Sequence, residues 1–215
     1  MLRIALLVLA VHAALLAPTP VAAASSAPRA SATAQTQTSE AERAFGSRLV
    51  AAARAQTWIP TLYDPSYRKI DYPMGDVPWY RGVCTDVVVR AYRALGIDLQ
   101  EIVHRAGVGS GDTNIDHRRV DVLRKLFARR GKSMPVSKTP SAYLPGDLVT
   151  YHLPNGTFSK THIAIVSDRK SSAGVPLVIH NRGLGVWEED RLYAERITGH
   201  YRFQVAGDRT ASGGR

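Results

Sequence analysis

The single cysteine of this 215-residue chain, Cys84, lies at a change in sequence character. Before it the chain is irregular and rich in proline and glycine, and after it residues 84–96 have the spacing of an amphipathic helix. A thiol in the first turn of a helix lies near unpaired backbone N–H groups and the positive end of the helix dipole, which favour the thiolate. Arg81 adds a positive charge nearby. The position therefore indicates a nucleophile, with a buried structural cysteine as the alternative.

Two histidines lie at the ends of apolar strand patterns further along the chain. His162 opens "HIAIV" and His180 ends "LVIH". A cysteine nucleophile needs a base that takes up its proton, and a third polar group that orients the base. We therefore expect Cys84, His162 and His180 to form a catalytic set, with Asn181 as the alternative third residue.

The strand pattern also predicts where these side chains point. Successive side chains of a strand point to opposite faces, so Asn181 points away from the face of His180 unless the strand ends early and twists, which Gly183 permits. Placing both strands in one sheet, we expect His162 and His180 to share a face, and the helix that begins at Cys84 to pack on that face.

The helix pattern assigns a side to an acidic residue beside the thiol. Spacing of three and four residues puts Cys84, Val88 and Ala91 on a buried stripe, and Asp86 with Arg90 on another. We expect the Asp86 carboxylate to face outward near Arg90. There it would support the helix N-terminus without disfavouring the thiolate.

Other polar and aromatic residues are candidates for contact with a substrate. Three aromatic residues precede the thiol: Tyr72, Trp79 and Tyr80. We expect them either to form a cleft wall or, more simply, to anchor a long loop to the core. In "NIDHRR", Asn114 or Asp116 is expected to cap a helix, while an arginine there is suited to bind a carboxylate. The candidate substrate-binding residues are Tyr72, Trp79, Arg81, Asp116, His117 and Arg118. Asp116, His117 and His152 lack a recognised ligand spacing, so we expect no metal site and no cofactor.

Helical patterns come first in the chain and strand patterns follow. Apolar spacing predicts a helix that ends before Pro60, a second over 84–95 and a third over 116–130. Period-two patterns then predict four strands: "PGDLVTYHL", "THIAIVSDR", "PLVIHNRG" and "ITGHYRFQV". This order predicts an α+β fold with N-terminal helices packed on an antiparallel sheet.

The N-terminus carries the pattern of a secretory signal. Arg3, a short apolar run and the small residues "VAAA" predict a signal peptide over residues 1–24. We expect a disordered linker over 25–40, one domain over 41–208 and a disordered tail over 209–215. The mature protein is then periplasmic or secreted, without a transmembrane segment.

The formal net charge of +10 comes from arginines that are scattered along the chain. Their distribution and the absence of a nucleic-acid motif exclude nucleic acid as the expected partner. One cysteine permits no internal disulfide, so the domain must depend on its hydrophobic core. We expect a monomer that meets its substrate in the cell envelope.

Several separated blocks resemble a bacterial family called domain of unknown function 1287, over roughly residues 58–203. The blocks are "YDPSY", "RGVCTDVVVRAYRALGIDLQ", "NIDHRRV", "PGDLVTY", "HIAIVSDR" and "ITGHYR". The order of a helix-start cysteine, "PGDLV", "HIAIV" and "VIHN" is also similar to NlpC-type papain-like cell-wall peptidases.

The second resemblance implies a papain-like fold and a thiol hydrolase. Cys84 matches the nucleophile, His162 the base, and His180 or Asn181 the third residue. The implied reaction is cleavage of an amide bond, with peptidoglycan stem peptides as the substrate. The chain departs from the usual Asp-Cys-Ser-Gly motif because it carries Val83-Cys84-Thr85-Asp86 there. The alternative is a non-catalytic envelope protein that binds cell-wall fragments or a protein partner.

Overall fold

The computed structural model describes residues 27–205, with side chains from residue 39 onward. The chain divides into two compact units, residues 1–36 and 37–215, and the first is described only as the beginning of helix α1 (Ala27–Ala55). The predicted signal peptide and the tail over 209–215 lie outside the described residues. Over residues 27–205, no helix is both long enough and apolar enough to span a bilayer.

The described part of the predicted linker over residues 25–40 is helical, which differs from the prediction. The helix starts at Ala27, so the segment 27–40 is helical in the structure and not irregular. This segment is rich in alanine, which has the highest intrinsic helix propensity. The C-terminal half of α1 buries Phe45 and Leu49 in the core of the second unit.

Three further helices follow. They are α2 (Cys84–Arg93), α3 (Leu99–Ala106) and α4 (Val120–Arg130). Helix α2 begins at the predicted residue, whereas α3 was not predicted. Asp98 caps α3 by accepting a hydrogen bond from the backbone N–H of Gln100, and Gly107 ends it in the left-handed conformation.

The strands are β1 (Leu62–Tyr63), β2 (Arg81–Gly82), β3 (Lys132–Met134), β4 (Leu148–His152), β5 (Thr161–Lys170), β6 (Pro176–Gly183), β7 (Gly185–Glu189) and β8 (Arg196–Arg202). Strands β1 and β2 form a short parallel pair. The other six form one antiparallel sheet in the order β3-β8-β4-β5-β6-β7. The predicted α+β class with helices and an antiparallel sheet is confirmed.

The central strands bury a different set of side chains on each face of the sheet. Ile163 and Ile165 of β5 belong to the core cluster that contains the α2 side chains. Ala164 and Val166 belong to a second cluster, with Tyr151 of β4. Strand β5 is therefore buried on both sides, and successive residues face different chemical surroundings.

Candidate active site

Cys84 lies at the first position of α2, beside a pocket of about 400 Å³. The residue is only 3% exposed. Tyr63 and Thr161 line the same pocket, and Phe158 stacks on the Tyr63 ring with centroids 4.8 Å apart. The thiol is thus at the inner wall of an open pocket that β1, β5 and the segment before α4 surround.

Burial raises the pKa of the Cys84 thiol to about 11. The backbone N–H of Ile163 and the Tyr63 hydroxyl favour the thiolate, but the Asp86 charge opposes them and burial is the largest effect. The pKa of the thiol is thus shifted in the direction opposite to the one that the helix start predicts, because the sulfur is removed from solvent.

Asp86 faces inward, which corrects the predicted outward side chain. Its carboxylate accepts a hydrogen bond from the backbone N–H of Val83 at 2.6 Å. Arg118 donates two more, from Nε at 2.8 Å and Nη2 at 2.9 Å. Both side chains are buried. A guanidinium 32 residues away in the sequence therefore neutralises the carboxylate, and local helix spacing gave no sign of it.

The two predicted histidines do share a face, and they contact each other. His162 Nε2 lies 2.6 Å from His180 Nδ1, and His180 Nε2 lies 2.8 Å from Glu189 Oε1. Burial lowers the pKa of both imidazoles, and the hydrogen bond with Glu189 partly offsets this for His180. Two neutral rings and a carboxylate thus form a chain from the surface into the protein.

The sequence pattern did not indicate Glu189 as a site residue, because it did not predict strand β7. Strand β7 is short and follows β6 after a tight turn, and its register puts Trp187 opposite His180. The three acidic residues of "VWEED" were the available signal, since an acidic residue near a buried histidine is a common orienting partner.

Helix α2 packs on the other face of the sheet from the histidine rings, which corrects the expected arrangement. The cluster that contains Cys84 also contains Ile163 and Ile179, whereas Tyr151 lies beside His162 in the opposite layer. The thiol nevertheless reaches β5, because it faces the amide of the residue after His162. Among the described residues, no hydrogen bond joins the Cys84 sulfur to either imidazole.

A second, smaller pocket lies beside the pocket of Cys84 and shares part of its lining. Its volume is about 120 Å³, and His162 lines it. Tyr63 and Thr161 line both this pocket and the pocket of Cys84. The thiol and the histidine are therefore on either side of one shared group of residues at the end of β5.

Asn181 lies on the α2 side of the sheet, opposite in direction to His180, as strand alternation predicted. Its register partner Val186 belongs to the same cluster as Cys84. Its Oδ1 accepts a hydrogen bond from the backbone N–H of Gly183, while its buried Nδ2 has no partner among the described residues.

The structure brings one of the six candidate substrate-binding residues to the Cys84 pocket, and that residue is Arg118. Asp116 instead accepts hydrogen bonds from the Ser110 hydroxyl and the Gly111 N–H, which closes a loop. The predicted helix cap is wrong, because neither Asp116 nor Asn114 caps α4. His117 is buried, and burial lowers its pKa to about 4.

The other three candidates lie elsewhere. Tyr72 packs edge-on against His104, with ring centroids 5.3 Å apart. Arg81 forms an ion pair with Asp64 at 2.7 Å. Trp79 lines a separate groove of about 800 Å³, which also holds Trp58 and Trp187. Over residues 27–205, no group of three or more His, Cys, Asp or Glu side chains is arranged to hold a metal ion.

Comparison with known proteins gives a family. The family model described as "Domain of unknown function (DUF1287)" matches residues 50–203. The chain is also similar to a protein of Escherichia coli (strain K12) with the name "Uncharacterized protein YijF". The two are 46% identical over 165 residues, which cover 71% of this chain and 79% of that protein. No solved structure matches the chain.

Proposed function

The chain belongs to the DUF1287 family, and on that premise we propose that it is an exported cysteine hydrolase of the NlpC-type papain-like kind. The proposed reaction is cleavage of an amide bond in peptidoglycan stem peptides. The proposed similarity to the papain-like fold rests on two features: a helix with an N-terminal cysteine, and an antiparallel sheet with two histidines on which that helix packs.

The observation that carries the proposal is the hydrogen-bond chain from His162 through His180 to Glu189, one residue away from the amide that Cys84 faces. A buried histidine that is oriented by a second polar group has the properties of a general base. A purely structural role for all three residues would not require a thiol at the same end of β5.

In the proposed reaction, the Cys84 sulfur attacks the carbonyl carbon while His162 takes the thiol proton. His162 then gives that proton to the nitrogen of the leaving amine, and a thioester remains. Water attacks the thioester, with its proton passing to His162, and the carboxylic acid leaves as the thiol is restored. Unpaired backbone N–H groups in the first turn of α2 stabilise the oxyanion in both steps.

The raised pKa of Cys84 is compatible with this sequence if proton transfer accompanies attack. A neutral His162 is available as a base, because burial keeps its pKa low. Catalytic hydrogen bonds are often long or poorly aligned before the substrate binds, and they tighten in the complex. Tyr63 and Thr161 line both the Cys84 pocket and the His162 pocket, so a substrate held against them is within reach of both groups.

The test is incubation of the purified protein with defined muropeptides, followed by mass spectrometry of the products. We expect a mass gain of one water across one amide bond, which the Cys84→Ala variant does not produce. A product that carries an added amine in place of water would indicate acyl transfer. Absence of any product with every stem peptide tested would contradict the proposal.

Three observations favour the alternative function, a non-catalytic envelope protein. The thiol is buried, its pKa is raised, and no hydrogen bond joins it to an imidazole among the described residues. If the protein only binds, the wild type and the Cys84→Ala variant should retain muropeptides to the same extent. Neither form should change the mass of the muropeptides.

A further inference from the structure

We propose that Glu189 is a positioning residue that sets the direction of the hydrogen bonds through both histidines and thereby leaves His162 Nδ1 free to accept a proton. This inference deepens the proposed function and rests on it. It extends the site from three residues to four, and it gives β7 a role in the chemistry.

The argument begins with the surface end of the chain. The Glu189 side chain is 42% exposed, and a carboxylate in contact with water only accepts hydrogen bonds. At 2.8 Å, His180 Nε2 must therefore be the donor. A neutral imidazole carries one proton, so His180 Nδ1 is then a bare acceptor.

The same reasoning applies to the next link. His180 Nδ1 lies 2.6 Å from His162 Nε2, and a hydrogen bond between them needs one proton. Because His180 Nδ1 carries none, His162 Nε2 must donate it. His162 Nδ1 is then bare, and it is the ring nitrogen that the hydrogen-bond chain leaves available as a base.

The opposite direction would disable the base. His180 would then carry its proton on Nδ1 and point a bare Nε2 at the Glu189 carboxylate, which is repulsive. His162 would receive that proton's hydrogen bond at Nε2 and carry its own proton on Nδ1. Such a ring cannot take a proton from the thiol at Nδ1, so the charge of Glu189 decides whether His162 is competent.

The surrounding groups make this carboxylate necessary. Arg182 and Arg191 both lower the pKa of the two histidines, and among the described residues neither arginine donates a hydrogen bond to a ring nitrogen. Tyr151 packs beside His162 with ring centroids 6.0 Å apart. Glu189 is the group around His180 that opposes the two arginines.

The test uses the full folded protein labelled with 15N in its histidines. Two-bond proton–nitrogen spectra distinguish a protonated ring nitrogen from a bare one. At neutral pH we expect His162 and His180 both to carry the proton on Nε2. A wild-type spectrum in which His162 carries its proton on Nδ1 would overturn the proposal without the need for any variant.

Glu189→Gln supplies the second arm. The glutamine amide can donate as well as accept, so the reverse direction becomes populated and His162 Nδ1 gains proton occupancy. The pKa of His180 should also fall, because the carboxylate raised it. Asp190→Asn is the matched control, since it removes one negative charge from an exposed neighbour and should leave both spectra unchanged.

A folded Glu189→Gln protein with wild-type tautomers and an unchanged His180 titration would refute the role of Glu189. These spectra need no substrate, so they stand even if no muropeptide is cleaved. When a substrate is in hand, Glu189→Gln should lower kcat by about tenfold with KM unchanged, as expected for a partial loss of general-base catalysis.

Discussion

At the scale of single residues, the surroundings of Cys84 decide its chemistry more than its place on the helix. The dipole and the free N–H groups of α2 favour a thiolate, and the sequence shows both. Burial and the inward carboxylate of Asp86 oppose it, and only the structure shows them. The pKa of the thiol is raised as a result.

The first prediction concerns alkylation of this thiol by iodoacetamide. The rate should rise only in the alkaline range, toward a pKa of about 11. At pH 7.5 it should be roughly 300-fold slower than that of the same thiol in urea-unfolded protein, whose pKa is about 8.5, because the thiolate fraction is smaller by that factor. His162→Ala should alkylate like wild type, because no hydrogen bond joins the two groups. A rate that levels off below pH 8 would contradict the raised pKa.

The second prediction concerns the buried pair of Asp86 and Arg118. Arg118→Met leaves an unpaired carboxylate in the core and should lower the free energy of unfolding by roughly 3–5 kcal/mol. Adding Asp86→Asn should recover most of the loss, because the neutral amide can still accept from the Val83 N–H. Urea unfolding followed by far-ultraviolet circular dichroism is the measurement.

Arg105→Met is the control for that experiment. Arg105 pairs with Glu101 on the exposed side of α3, at four residues' separation. Its loss should cost less than about 0.5 kcal/mol. Equal losses for Arg105→Met and Arg118→Met would show that the buried pair has no special weight.

At the scale of elements, β5 and β6 position the site, and their sequences were informative. Period-two alternation identified the strands and put His180 and Asn181 on opposite faces. The pattern could not tell which face receives α2, because both faces of β5 are buried by apolar side chains. The choice depends on contacts with helices far away in the sequence.

The third prediction compares substitutions on these two strands. His162→Ala should lower kcat as severely as Cys84→Ala, and His180→Ala less severely, because it removes orientation but not the base. Asn181→Ala should reduce stability more than it reduces kcat, since Asn181 lies on the α2 face away from the imidazoles. A larger kcat loss for Asn181→Ala than for His180→Ala would assign the orienting role to Asn181.

The remaining elements show which features the sequence pattern could not predict. Helix α2 was predicted because ten residues give a clear stripe, while α3 and β7 are too short for a periodic signal. Glu189 was not identified as a site residue because its strand, β7, was not predicted. The inward direction of the Asp86 side chain was missed because its partner Arg118 lies in a 3-10 turn after a loop, where no periodicity connects the two residues.

At the scale of the whole molecule, export of the protein from the cytoplasm is a prediction from the sequence. The signal pattern over residues 1–24 lies outside the described residues. The fourth prediction is that protein from a periplasmic extract begins near residue 25, as determined by N-terminal sequencing. Recovery of an intact Met1 in the membrane fraction would contradict the export prediction and weaken the cell-wall proposal.

The placement of the tryptophans has a spectroscopic consequence. The chain contains three, and all are on the surface in one groove: Trp58 is 86% exposed, Trp79 65% and Trp187 61%. An indole in water emits at long wavelength whether the chain is folded or not. The native fluorescence should therefore already resemble that of the denatured protein, and unfolding should shift it little. A molecule that covers the groove would instead move the emission to shorter wavelength, which makes the intrinsic fluorescence a reporter of occupancy and not of folding.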